Sequence, residues 1–231
     1  MQEGYPRETV KAQLDLIRES GMGWYRCDWP QILFDKTPEA YDELFDEAKK
    51  RNLKILPILF PTVAMDGSVP NEEIRKVAAA YAKAIVTKYR GRITHWELHN
   101  ELDNFSILRQ GDTTRKGEPY PHGSPDGDSV EHYEEARYQR VLAMLRGLSE
   151  GVKAGDVKAL TMINAAGWLH TGFFDRLIKE DKLHFDILAW HWYSDMGDMT
   201  KVRDKINVFA HLKTYGKPIW ITEMNLSLIH I

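Results

Sequence analysis

Two glutamates close apolar, strand-like runs: Glu101 ends Thr94-His-Trp-Glu-Leu-His-Asn-Glu101, and Glu223 ends Lys217-Pro-Ile-Trp-Ile-Thr-Glu223. A carboxylate pair is the minimum equipment for cleaving a glycosidic bond. One group protonates the departing oxygen while the other attacks the sugar carbon or activates a water. Two carboxylates held close together resist double ionisation, so one of them keeps a proton near neutral pH. The pair is far apart in the chain, so only a particular arrangement of elements can bring the two side chains together.

Those elements alternate along the sequence. A helix over the Tyr5 to Ser20 region sets Val10, Leu14 and Ile17 on one face and stops at Gly21. Trp24 to Asp28 reads as a strand, and Thr37 as the N-cap of a second helix that turns Tyr41, Leu44, Phe45 and Ala48 inward. Leu53 to Phe60 is an almost continuous apolar strand, and Asn71 to Tyr89 a helix with Ile74, Ala78, Tyr81 and Ile85 on one stripe. Ile93 to Asn100 is the next strand. A long polar loop, Asp103 to Ser129, leads to a helix carrying Tyr138, Val141, Leu142 and Leu145. Strands at Ala159 to Ala165, Phe185 to His191 and Pro218 to Thr222 follow, separated by helices around Phe173 to Lys179 and Lys201 to Tyr215.

Strands joined by helical crossovers predict an α/β fold with a parallel sheet, and the lack of a Gly-rich phosphate turn favours a TIM barrel over a doubly wound sheet. With 231 residues, 43% of them hydrophobic, the chain suffices for one domain with a sizeable core. A formal charge of −3 leaves no basic surplus for nucleic acid or an acidic membrane surface, and neutral sugars fit it without conflict. No apolar run approaches a membrane span, and Met1 to Ser20 is polar and helical rather than signal-like. Localisation stays open. The lone Cys27, inside an apolar-aromatic run, reads as a buried structural thiol.

Trp96-Glu-Leu-His-Asn-Glu101 and Ile219-Trp-Ile-Thr-Glu223 resemble the acid/base and nucleophile motifs of the clan A retaining glycoside hydrolases, most nearly family thirty-nine. The resemblance spans nearly the whole chain. It implies a (β/α)8 barrel of which this sequence carries strands two to seven, Glu101 as acid/base and Glu223 as nucleophile, carboxyls roughly 5 to 5.5 Å apart, a carbohydrate substrate and no cofactor. It also implies that Asn100 bonds the sugar hydroxyl beside the reacting carbon, that Arg26 holds the nucleophile ionised, that Tyr193 contacts the nucleophile and that His191 orders the site. Each has a plainer reading: a structural Asn, an interior salt bridge, a packing tyrosine and a core histidine. Strand alternation sends Asn100 and Glu101 to opposite faces, so both serve only if the strand ends in a turn or bulge.

The resemblance leaves strands one and eight unaccounted for. Leu226-Ser-Leu-Ile-His-Ile231 equals a translation of CTG TCT CTT ATA CAC ATC, which looks like a sequencing-library adapter; the expectation is therefore a domain over residues 1–225 and a foreign tail over 226–231, with a natural apolar tail as the plain alternative. Trp168 and Trp192 are candidates for stacking on sugar faces, with buried packing as the plain alternative, which also covers Trp29. Trp96, Trp190 and Trp220 fill space. Asp126-Gly-Asp128 lacks a full calcium-loop pattern and reads as a solvated turn. Two other functions remain in view: a non-catalytic carbohydrate-binding barrel, and a metal-dependent sugar isomerase or hydrolase using His95, Glu97, His99 and His191. Against the latter, residues four apart on a strand are separated by about 13 Å.

Overall fold

A computed structural model describes residues 7–225. The tail expected at 226–231 therefore lies outside the described residues. The sheet has six strands in the order β1-β2-β3-β4-β5-β6, and every adjacent pair is parallel. These are β1 (Trp24–Pro30), β2 (Lys54–Phe60), β3 (His95–Glu97), β4 (Leu160–Ile163), β5 (Ile187–Tyr193) and β6 (Ile219–Asn225). The helices are α1 (Arg7–Glu19), α2 (Gln31–Lys36), α3 (Pro38–Lys50), α4 (Asn71–Lys88), α5 (Leu102–Ser106), α6 (Glu135–Gly155), α7 (Thr171–Asp175) and α8 (Val208–Lys213).

Laid flat, five inter-strand steps would hold β1 and β6 about 24 Å apart. Instead the Trp24 ring of β1 lies 5.3 Å from the Trp220 ring of β6. The sheet is thus curled until its first and last strands face one another, the geometry of a TIM-barrel-like wall. Two apolar layers follow from strand alternation. Trp29, Trp96 and Trp190 face the helices and are fully buried there, whereas Leu56, Met162, Ile187 and Ala189 pack inside the curl with Trp24 and Trp220.

The helices bury the stripes that their periodicity requires. Ile74, Ala78, Tyr81 and Ile85 of α4 are all buried. Against them α6 presents Gly147 and Gly151, where an added Cβ would stand 2.3 Å from the Arg75 carbonyl oxygen and 2.4 Å from that of Ala79. Glycine therefore sets how closely these two helices approach.

Four local expectations need correction. The strand expected over Ile93 to Asn100 is regular only at His95–Glu97, because the chain turns left-handed at His99. The helix expected from Lys201 to Tyr215 forms only at Val208–Lys213: Arg203 and Asp204 have φ of 49° and 63°, and the Asn207 side chain caps the helix by accepting the Ala210 N–H. Thr37 stands at the N-cap of α3, but its hydroxyl donates to the Leu33 carbonyl and so closes α2. The helix around Phe173 continues past α7 as a π-turn, Arg176–Glu180.

Candidate active site

Interior side chains at the carboxyl ends of the strands meet in one cluster. On β1, Arg26 sits two residues beyond Trp24 and so shares its interior face; on β5, His191 and Tyr193 continue the face of Ala189. Glu223 reaches the same space through an irregularity. Trp190 pairs with Ile221, but the next residue, His191, pairs with Glu223, so Thr222 is an extra residue in β6. This bulge brings Thr222 and Glu223 to the same side: the Thr222 hydroxyl lies 3.4 Å from Glu97 Oε1, and Glu223 Oε1 lies 2.5 Å from Arg26.

A second irregularity delivers Glu101. After Glu97 the backbone adopts φ of 68° at His99 and 47° at Glu101, so the neighbours Asn100 and Glu101 both turn inward. Asn100 Oδ1 accepts from Arg26 Nη2 at 2.7 Å, and Glu101 Oε1 is 2.7 Å from His191 Nδ1. Facing ligand atoms of Glu101, His191 and Glu223 all lie within 4.8 Å of one another.

Arg26 organises this cluster. Its Nε donates to Glu97 Oε2 at 2.5 Å, its Nη1 to Glu223 Oε1 at 2.5 Å, and its Nη2 approaches His191 Nε2 at 3.4 Å. Burial opposes the arginine's charge, yet Glu97 and Glu223 overcome it and raise its proton affinity. Burial likewise pushes the Glu223 carboxyl upward. The Tyr193 hydroxyl, which donates to Oε2, outweighs it together with His191 and Arg26, so Glu223 titrates below its ordinary range. Tyr193 responds in the opposite sense: burial and then the Glu223 carboxylate hold its phenol well above the usual value. His191 thus lies between the two halves of the cluster, its Nε2 toward Arg26 and its Nδ1 toward Glu101.

Two members of the cluster, Asn164 and Thr222, escaped sequence reasoning as site residues, and a third, Glu97, was considered there only as a metal ligand. Glu97 is completely buried and takes Arg26 on one oxygen and Asn164 Nδ2, at 2.7 Å, on the other. Its signal was legible, since it alternates in phase with His95 about the buried Trp96. Asn164 is a lone polar residue just past β4.

Trp168 and Trp192 stand apart from this hydrogen-bonded group. Trp192 alternates to the opposite face from His191 and Tyr193, and its indole donates to the Gly197 carbonyl at 2.8 Å. Trp168, at φ of 49°, donates to Asp126 Oδ1 at 3.3 Å and has the Arg203 guanidinium 5.5 Å from its ring. Asp126 in turn clasps Arg203 through both oxygens at 2.6 Å. The long loop thus packs beside Trp168, while Asp103, expected as its first residue, instead belongs to α5 and is buried against His170 and the Ala166 N–H. Trp29 is buried and stacked on Tyr41.

His95, Glu97, His99 and His191 do not form a ligand set. The His95 ring stacks 5.2 Å from Trp220 inside the curl, and that of His99 lies 4.6 Å from Phe60. Among the described residues, only Glu101, His191 and Glu223 bring enough donor atoms together for an ion. Arg26 already places a fixed positive charge on that trio, which opposes a second cation.

Residues 136–229 match the family model described as the glycosyl hydrolase catalytic core. No curated protein matches the chain. Among solved structures, the GH53 catalytic domain of Ignisphaera aggregans is similar over 91% of this chain and 59% of its own, with a TM-score of 0.62 and 16% identity. The family 1 β-glucosidase of Thermotoga maritima is similar over 94% of this chain and 66% of its own, with a TM-score of 0.60 and 14% identity. The virulence factor SghA of Agrobacterium tumefaciens gives 94% and 66%, a TM-score of 0.62 and 15% identity. At such identities the likeness is one of fold, and the chain spans about 59 to 66% of the length of these structures.

Proposed function

We propose that this chain carries the catalytic centre of a retaining glycoside hydrolase that cleaves β-glycosidic bonds of an oligo- or polysaccharide. The observation that carries the proposal is the approach of Glu101 and Glu223, whose facing oxygens lie within 4.8 Å. Retaining enzymes hold their carboxyls at about 5 to 5.5 Å, whereas inverting ones need about 6.5 to 9.5 Å to admit a water.

In the first step the Glu223 carboxylate attacks the anomeric carbon, the glycosidic bond breaks, and protonated Glu101 gives its proton to the departing oxygen. Arg26 and Tyr193 favour the ionised form of Glu223 that attack requires. Because His191 Nδ1 faces Oε1 of Glu101, Oε2, 3.3 Å from Asn104 Nδ2, is the oxygen placed to carry that proton. In the second step Glu101, now ionised, takes a proton from water as its oxygen bonds to the anomeric carbon and Glu223 departs. Asn100 is assigned to the neighbouring sugar hydroxyl and Trp168 to stacking along the substrate, whereas Trp192, on the opposite face of β5 from His191 and Tyr193, is assigned to packing.

The glutamate motifs support family thirty-nine within clan A, and the curled six-stranded parallel sheet supports reading its strands as strands two to seven of an eight-stranded barrel. Treatment with a series of 2-fluoro glycosides, followed by peptide mass mapping, tests the assignment. Label on Glu223 is expected and also identifies the sugar. Hydrolysis by Glu223→Gln at the unsubstituted rate would overturn it. Activity lost in EDTA and restored by zinc or manganese would favour metal chemistry at the trio, and glycan binding with no turnover a binding barrel.

A further inference from the structure

Resting on the glycoside-hydrolase reading above, we infer that Asn164 is a positioning residue that fixes the acid/base Glu101 relative to the nucleophile Glu223. Glu101 has an unusual backbone for a residue that must aim a side chain: φ is 47° and ψ 44°, a left-handed conformation that L side chains rarely adopt. It heads the five-residue helix α5 with no side-chain cap of its own. Something outside the turn must hold it there.

Asn164 does so with all the hydrogen-bonding directions its position allows. Its Oδ1 accepts the Glu101 N–H at 2.7 Å, while its Nδ2 donates to the His99 carbonyl at 2.8 Å and to Glu97 Oε1 at 2.7 Å. One amide thus ties down three alternate residues, Glu97 at the end of β3 and His99 and Glu101 in the turn after it. It is only 3% exposed, so water does not offer a ready substitute for these bonds.

The contact with Glu97 extends the link to the other catalytic carboxylate. Glu97 Oε2 accepts from Arg26 Nε at 2.5 Å, and Arg26 Nη1 donates to Glu223 Oε1 at 2.5 Å. An unbroken path therefore runs from the backbone of Glu101 through Asn164, Glu97 and Arg26 to the carboxylate of Glu223. Asn164 touches no reacting atom on this path. Its place between the two halves sets their separation, on which the double-displacement route depends.

Leaving-group dependence tests the role. Wild-type protein and Asn164→Ala are compared on aryl β-glycosides ranging from 2,4-dinitrophenyl, which departs without a proton, to unsubstituted phenyl, which needs one. Misplacing Glu101 by about an ångström should lower kcat/KM on phenyl glycosides on the order of a hundredfold and leave the dinitrophenyl reaction within a few fold. Asn164→Ser, which keeps a small oxygen, should lie between, and it carries the same test if the alanine variant does not fold. An equal loss across the whole series would mark Asn164 as merely structural and overturn the inference. Absence of hydrolysis by the wild type itself on every glycoside would instead remove the reading on which the inference rests.

Discussion

Arg26 of β1 donates Nη1 to Glu223 Oε1 of β6 at 2.5 Å, joining the first and last strands of a six-stranded parallel sheet across its interior. The same guanidinium clamps Glu97, which no water reaches. Removing it leaves a buried carboxylate without its counter-charge, a change that typically costs about 3 to 5 kcal/mol. Arg26→Met is therefore expected to lower the unfolding free energy obtained from urea titration by about 3 to 5 kcal/mol, and Arg26→Met combined with Glu97→Gln to recover part of the loss. Independent, additive effects in that cycle would contradict the coupling.

Tyr193 donates to Glu223 Oε2 and so stabilises the ionised carboxylate. Glu223 titrates below its ordinary range, so its contribution to stability is full above the unfolded-state value and is lost as pH falls through the folded one. Tyr193→Phe removes a donor to the charged form and raises that folded value. The acidic limb of kcat/KM should accordingly move to higher pH, while the fold, monitored by circular dichroism, stays intact at neutral pH. An unmoved limb would show that Arg26 and His191 hold Glu223 without the phenol.

Glu101 has its own signature. Glu101→Ala should lose about 10² to 10⁴-fold on substrates with poor leaving groups, the usual worth of a general acid. With activated substrates, azide should restore turnover by attacking the glycosyl-enzyme, and the product should be a β-glycosyl azide. No rescue, or an α-azide, would place the acid/base elsewhere.

Gly151 of α6 offers a test remote from the chemistry. Alanine is the better helix former by about 1 kcal/mol, but its Cβ would fall 2.4 Å from the Ala79 carbonyl oxygen and 2.7 Å from the Ala82 Cβ. Overpacking of this kind costs about 1 to 3 kcal/mol, so Gly151→Ala should lower the melting temperature despite its helix propensity. A rise would mean that α4 and α6 separate freely.

Much of this molecule was legible before any coordinates. Alternation of apolar runs with amphipathic ones locates all six strands, because a strand covered by helices buries both faces and leaves a near-continuous hydrophobic run, as Lys54–Phe60 shows. Helix stripes such as Ile74, Ala78, Tyr81 and Ile85 are local consequences of the 3.6-residue period. The segment at Lys201 was misread for the complementary reason: left-handed residues at Arg203 and Asp204 are ordinary side-chain types and leave no local mark.

The sequence by itself determined the order of the elements and the chemical kinds of residue at their carboxyl ends: Arg26, Asn100, Glu101, His191, Tyr193 and Glu223. Only the tertiary structure decided that these side chains face one another. Strict alternation from Trp220 would have turned Glu223 toward the helices and separated Asn100 from Glu101. An extra residue in β6 and a left-handed turn after β3 reversed both outcomes. Such irregularities are held by long-range contacts, among them those of Asn164 and Glu97, and a one-dimensional pattern of apolar and polar residues does not encode which distant partner will supply them.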